Sequence, residues 1–271
     1  MTRTAAVISK RSPSSPFHPQ SGYSLVELSV VLVVLGMMVG ALSIGSGVHR
    51  TSEYQRIKKT FVDQWASAYN DFYVRAGRVP GDSAETPTFV VNAAADEDVL
   101  ELLLAVEDGD YSDFVDNDES LPPRLCEGSA NDTTPGARPS DTTSMRELFA
   151  ALGVQLPSGR AEGQEDRYVY LDTNGNPQEL QVCFQWNPPE TLSGGGNVMV
   201  LKGLTPDLAR MLDATIDGRI NAVAGAFREQ RGADAGDSPE WTYDVRDSVD
   251  ESVGRNESQV RAVTAHYRMS Q

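Results

Sequence analysis

Glu27 is the first residue whose surroundings make its chemistry conspicuous. It heads a stretch, residues 28–48, with no charged side chain. At a rise of about 1.5 Å per residue, that stretch covers a hydrocarbon layer of about 30 Å. A carboxylate beside such a span is costly unless it finds a partner, with up to about 3 kcal/mol expected at the bilayer centre. The plainer reading leaves Glu27 in a first helical turn, where the helix dipole favours an acid. Further along, Asp108, Asp110, Ser112, Asp116 and Glu119 fall at the first, third, fifth, ninth and twelfth places of an EF-hand-like calcium loop. Asp113 stands where that loop needs glycine, and Pro122-Pro123 blocks an exit helix, so a solvated acidic loop is the favoured reading of the run.

Cys126 and Cys183 are the only cysteines, and neither has a second Cys or a His at zinc-ligand spacing. A disulfide is the natural pairing, stabilising the fold by roughly 2 to 4 kcal/mol in an oxidising compartment. Two buried thiols are the other reading. The histidines are His18, His49 and His266, far apart in the chain, and no zinc-protease, phosphate-loop or nucleophile-elbow motif occurs. We therefore expect no enzymatic role and no cofactor, calcium aside. The net charge of −16, from 39 acids against 23 bases, disfavours nucleic acid as a direct partner. A hydrophobic content of 39% allows a substantial core.

The run Gly22-Tyr23-Ser24-Leu25-Val26-Glu27, leading into Leu28-Ser29-Val30-Val31-Leu32, resembles the processing signature of type IV prepilins and pseudopilins. The resemblance implies cleavage between Gly22 and Tyr23 by a membrane aspartic peptidase, methylation of the new amino terminus on Tyr23, and a helix that starts at the cut. It also implies that Glu27 pairs with the freed amine of a neighbouring subunit. An α-amino group with an ordinary pKa of about 7.7 is largely protonated at neutral pH, so assembly and charge neutralisation would coincide. On this likeness the chain is expected to sit in the bacterial inner membrane as a single-pass protein before assembly, and afterwards in a pilus at the cell surface or in the periplasm. Its expected partners are other pilin subunits, the prepilin peptidase and methyltransferase, and the assembly machinery. The length suggests a minor pilin. A pseudopilin of a type II secretion system and, from another class, a membrane-tethered periplasmic binding module are the alternatives.

The elements that must position these residues can be read from periodicity. Gly36 and Gly40 form a small-xxx-small pair on the apolar stretch. Beyond it, Tyr54, Ile57, Phe61, Trp65, Ala68, Phe72 and Ala76 recur at steps of three and four, one face of a helix that should run to Gly77. Pro80-Gly81-Asp82 then turns the chain, again as in pilin-like proteins. Short helices are expected over 99–106 and 144–152. Strands are expected over 167–171 and 180–186, joined by an Asn174-Gly175 turn, and over 198–204, 241–245 and 260–267. Thr205-Pro206 should cap a crossover helix through Ile216, stopped by Gly218. The segment from Gly203 to Gly225 is similar to the distal region of some pilin-like proteins. The expected fold is α+β, with a long helix packed on an antiparallel sheet. The expected division is a cleaved leader 1–22, a membrane half-helix 23–48, an amphipathic half-helix 49–77 and a pilin-like globular domain 78–271.

Overall fold

A computed structural model describes residues 24–106, 109–115, 121–126, 144–172, 174–230, 238–242 and 262–270, with backbone alone at 41–50, 113 and 115. The chain divides into two compact units, Met1–Thr51 and Ser52–Gln271.

In the first unit the described backbone is helical. The helix α1, Leu25–Ile57, begins there and extends into the second unit. From Leu25 to Val39 its large apolar side chains are exposed on every side, from Leu25 at 86% to Val34 at 45%. A helix that is apolar all round is fitted to a lipid or protein environment and poorly fitted to water. No helix among the described residues is long and apolar enough to cross a membrane. The expected span over 28–48 draws on residues 41–48, whose side chains lie outside the described set. The preceding described residues, 24–40, reach only about 26 Å at helical rise.

The second unit is built on the continuation of this helix. One π-helical turn, Lys58–Val62, leads into α2, Asp63–Ala76. The wider turn places Phe61 and Val62 both in the core, and the Lys58 ammonium meets the Asp63 carboxylate at 2.8 Å. The expected stripe is buried at Tyr54, Ile57, Phe61, Trp65, Ala68 and Phe72, with Tyr69 added, while Ala76 is half-buried. Gly77 ends the helix at φ 71, its amide donating to the Tyr73 carbonyl at 2.8 Å. The chain turns through Pro80-Gly81, and the Asp82 carboxylate, 2% exposed, holds the loop at 83–89 in place. It accepts from the amides of Ser83 (2.8 Å), Thr88 (3.2 Å) and Phe89 (2.9 Å) and from the Thr88 hydroxyl (3.0 Å).

A 3₁₀ turn, Ala93–Ala95, precedes α3, Glu97–Leu104, which Asp96 caps by accepting from the Asp98 and Val99 amides. The short α4, Ser112–Val115, and α5, Met145–Ala151, come next. Then come β1, Arg167–Leu171, β2, Pro177–Asn187, and β3, Gly196–Leu204. The helix α6, Pro206–Ile216, is capped by the Thr205 hydroxyl accepting from the Leu208 amide. β4, Phe227–Glu229, and β5, Val263–Arg268, complete the sheet. All neighbours in it are antiparallel, in the order β1-β2-β3-β5-β4, so β5 lies between β3 and β4 and α6 belongs to a crossover connection. The sequence expectation missed β4. Of the strand expected over 241–245, Trp241 and Thr242 are not in a strand, and 243–245 lie outside the described residues. Trp241 instead packs on Phe227, ring centroids 5.4 Å apart, and donates its indole N–H to Asp213 at 2.6 Å.

One face of the sheet packs on the helix. Tyr54 meets Tyr170 edge-on, Phe61 meets Tyr168, and Trp65 and Tyr69 both meet Phe184, at centroid separations of 5.2 to 6.4 Å. These aromatic pairs alternate with Leu180, Val182, Met199, Leu201 and Ala265 in one core. Burial of apolar area at about 25 cal/mol per Å² makes this layer the main source of cohesion.

Candidate functional site

The first described residue already takes part in a local device. Ser24 and Glu27 form a reciprocal capping box at the start of α1. The Ser24 amide donates to Glu27 Oε2 at 3.0 Å, and the Glu27 amide donates to the Ser24 hydroxyl at 3.2 Å. Two amides left without partners by the helix start are thereby satisfied, and the acid lies where the helix dipole favours it. Both side chains are exposed, so the Glu27 carboxylate remains open to another donor. Gly22 and Tyr23 lie outside the described residues. At Gly36 and Gly40 an added Cβ would meet nothing within 4 Å, so the small-residue strip is open along this side of the helix.

Residues 18–43 match the prokaryotic N-terminal methylation motif. The motif is of the prepilin type. It supports a type IV pilin-like protein that is a substrate of prepilin peptidase, and anchoring in the inner membrane before assembly. It takes in Gly22, Tyr23, the capping box and the described apolar helix through Gly40. No curated protein and no solved structure matches the chain.

Cys126 and Cys183, the other expected pair, are joined in a disulfide. Beyond the end of β1, the same flank of β2 is taken by Leu125, which exchanges two backbone hydrogen bonds with Phe184 at 2.8 and 2.9 Å. Cys126 and Cys183 therefore face each other across an antiparallel step, with Cα atoms 4.6 Å apart. With Val198 and Val200 they form a small apolar cluster apart from the main core. The bond ties segment 121–126 to the sheet.

Of the expected calcium ligands, Asp108, Asp116 and Glu119 lie outside the described residues. Asp110 and Ser112 are described. The Asp110 carboxylate accepts from the Ser112 amide at 3.0 Å, a bond that lowers its pKa, and Ser112 opens α4. There Asp110 closes a side-chain turn just ahead of α4. No group of metal-binding side chains occurs among the described residues. The Asp172 oxygens of the hairpin turn are likewise engaged, accepting from the amides of Asn174 and Asn176 at 2.8 Å each and from the Gln178 side chain at 3.1 Å.

Proposed function

We propose that this chain is a structural subunit of a type IV pilus-like filament, a minor pilin in its role, cleaved after Gly22 and methylated on Tyr23. The observation that carries the reading is the methylation motif at the head of a helix that is exposed and apolar to Val39 and buries one stripe from Tyr54 onward. The first part suits a membrane before assembly and a helical stack afterwards. The second part packs within the globular unit. Head-to-tail contacts between such subunits do not close, so they generate a helical fibre.

The capping box supports a specific role for Glu27. Before assembly its carboxylate is satisfied within its own chain by the Ser24 amide. That bond is exposed and weak, on the order of 1 kcal/mol. A protonated amine on the Tyr23 of a neighbouring copy would be a stronger, charge-assisted donor, and stronger still away from water. Incorporation then exchanges a helix cap for an intersubunit ion pair, which fixes the axial register of neighbours.

Glu27→Ala in the native host tests this. The variant should be cleaved and methylated, with mass spectrometry reading a mature chain that starts at methylated Tyr23, yet be missing from sheared filaments. Incorporation at the wild-type level would remove Glu27 from assembly and favour a membrane-tethered binding module. A mature terminus elsewhere would remove the pilin reading. Deletion of the gene separates a minor pilin, whose loss alters surface fibres, from a type II secretion pseudopilin, whose loss stops export.

A further inference from the structure

The sheet face that carries Cys183, Val198 and Val200 also holds Gln185 and Asn187 of β2 and His266 of β5. With Ser193 these side chains are 1 to 6% exposed and linked. The Gln185 amide donates to Asn187 Oδ1 at 2.5 Å. Asn187 Nδ2 donates to the Gly194 carbonyl at 2.8 Å and lies 3.0 Å from His266 Nδ1, and the Ser193 hydroxyl lies 2.8 Å from the same nitrogen. An amide nitrogen can only donate, so Nδ1 is an acceptor and the imidazole carries its proton on Nε2. Burial, with the Arg124 cation nearby, pushes the His266 pKa down to about 3, so the ring stays neutral. Asn187 Nδ2 and His266 Nδ1 are satisfied at one loop, residues 188–196, while the buried Gln185 Oε1 and His266 Nε2 have no hydrogen-bond partner among the described residues. Within the loop, Thr191 and Gly194 close successive turns by donating to Pro188 and Thr191. A Cβ on Gly195 would lie 2.6 Å from Pro189 Cα, so backbone packs directly on backbone there.

A cavity of about 390 Å³ opens against this glycine wall, with Tyr111, Trp186, Arg228 and Arg268 also lining it. Its described lining has two guanidinium groups and no carboxylate, in a chain whose acids outnumber its bases 39 to 23. Arg228 is positioned by two backbone carbonyls, Nε donating to Gly225 just before β4 at 2.9 Å and Nη1 to Leu192 of the loop at 3.4 Å. The Arg268 side chain has no hydrogen bond or ion pair among the described residues. Two forked donors beside an aromatic pair, Tyr111 and Trp186 with centroids 5.5 Å apart, suit a ligand that is both anionic and ring-shaped. We infer that this cleft binds an acidic saccharide. Arg228 and Arg268 hold the sugar carboxylate, the half-buried Tyr111 ring, backed by the buried Trp186, meets the C–H-rich face of the pyranose, and the loop backbone meets its hydroxyls. The volume admits one or two rings. A polyphosphate chain is the poorer occupant, because its many charges feel the net −16 of the whole protein beyond the two local cations.

The test is calorimetric titration of the full chain in detergent with digalacturonate, its neutral methyl ester and a short single-stranded oligonucleotide. Digalacturonate should bind saturably, and Arg268→Gln, Arg228→Gln or esterification should each weaken it by about tenfold or more. Arg268 is exposed and Arg228 half-buried, and unchanged melting curves will show that the variants are folded. No binding of digalacturonate to the wild type, binding indifferent to both variants, or equal binding of the ester would overturn the inference. So would an oligonucleotide that binds more tightly and displaces the sugar, which would reassign the cleft to phosphate.

Discussion

Removal of the cross-link between Cys126 and Cys183 should have the largest effect on stability of any change that leaves the main core untouched. The two are separated by 57 positions in sequence. Closing a loop of that length lowers the entropy of the unfolded chain by an amount worth about 4 kcal/mol at 25 °C. In the double variant Cys126→Ala with Cys183→Ala, the lost sulfurs also leave a gap against Val198 and Val200, adding on the order of 1 kcal/mol. The sum is a large share of the roughly 5 to 15 kcal/mol by which native proteins exceed their unfolded states. With a urea slope of roughly 2 to 3 kcal/mol per molar, it predicts a fall in midpoint of about 1.5 to 2.5 M. The assay is equilibrium urea unfolding of the full chain in detergent, oxidised, reduced with dithiothreitol, and as the double variant. The unfolding slope should rise when the bond is absent, because an uncrosslinked chain expands further. Coincident midpoints for oxidised and verified reduced protein would refute the entropy argument. Two titratable thiols in unreduced, unfolded protein would refute the bond itself.

Trp65→Ala removes a fully buried ring that packs on Phe149 and Phe184 and donates to the Glu165 carbonyl, and should cost about 3 to 5 kcal/mol in thermal unfolding. Val74→Ala, at a residue 80% exposed on the same helix, should stay within about 0.5 kcal/mol. Asp82→Ala strips the acceptor from three loop amides and should cost about 2 to 3 kcal/mol, with faster proteolysis of the 83–92 loop than of the rest. Asp213 is fully buried, accepts from Trp241 and from the Asn221 amide, and has its pKa raised by burial and by the Asp217 carboxylate. A carboxyl with a raised folded pKa contributes stability that is complete below its unfolded value and lost as pH rises through the folded value. Asp213→Asn should therefore remove a loss of stability that the wild type shows from the ordinary carboxylate range toward neutrality, with Trp241 fluorescence as the readout. Parallel pH profiles for the two proteins would show that the group does not titrate differently on folding.

Features under short-range control were legible in the residues alone. A left-handed stop at Gly77, the Thr205-Pro206 start and Gly218 end of α6, the β1–β2 hairpin around Asn174-Gly175, and the long helical stripe each depend on residues within a few positions of one another. The methylation motif was legible for the same reason, as a contiguous run. Pairings between distant parts of the chain emerged only on folding. They include the placement of β5 between β3 and β4, the three-residue β4, the Leu125–Phe184 bridge that faces Cys126 onto Cys183, and the descent of Trp241 onto Asp213. Nor could periodicity show that Arg228 and Arg268, 40 residues apart by their numbers, frame one cleft with a loop held by His266. Local propensity is blind to which strands become neighbours. That choice is made by burying one shared apolar face, and it fixes which distant polar groups meet.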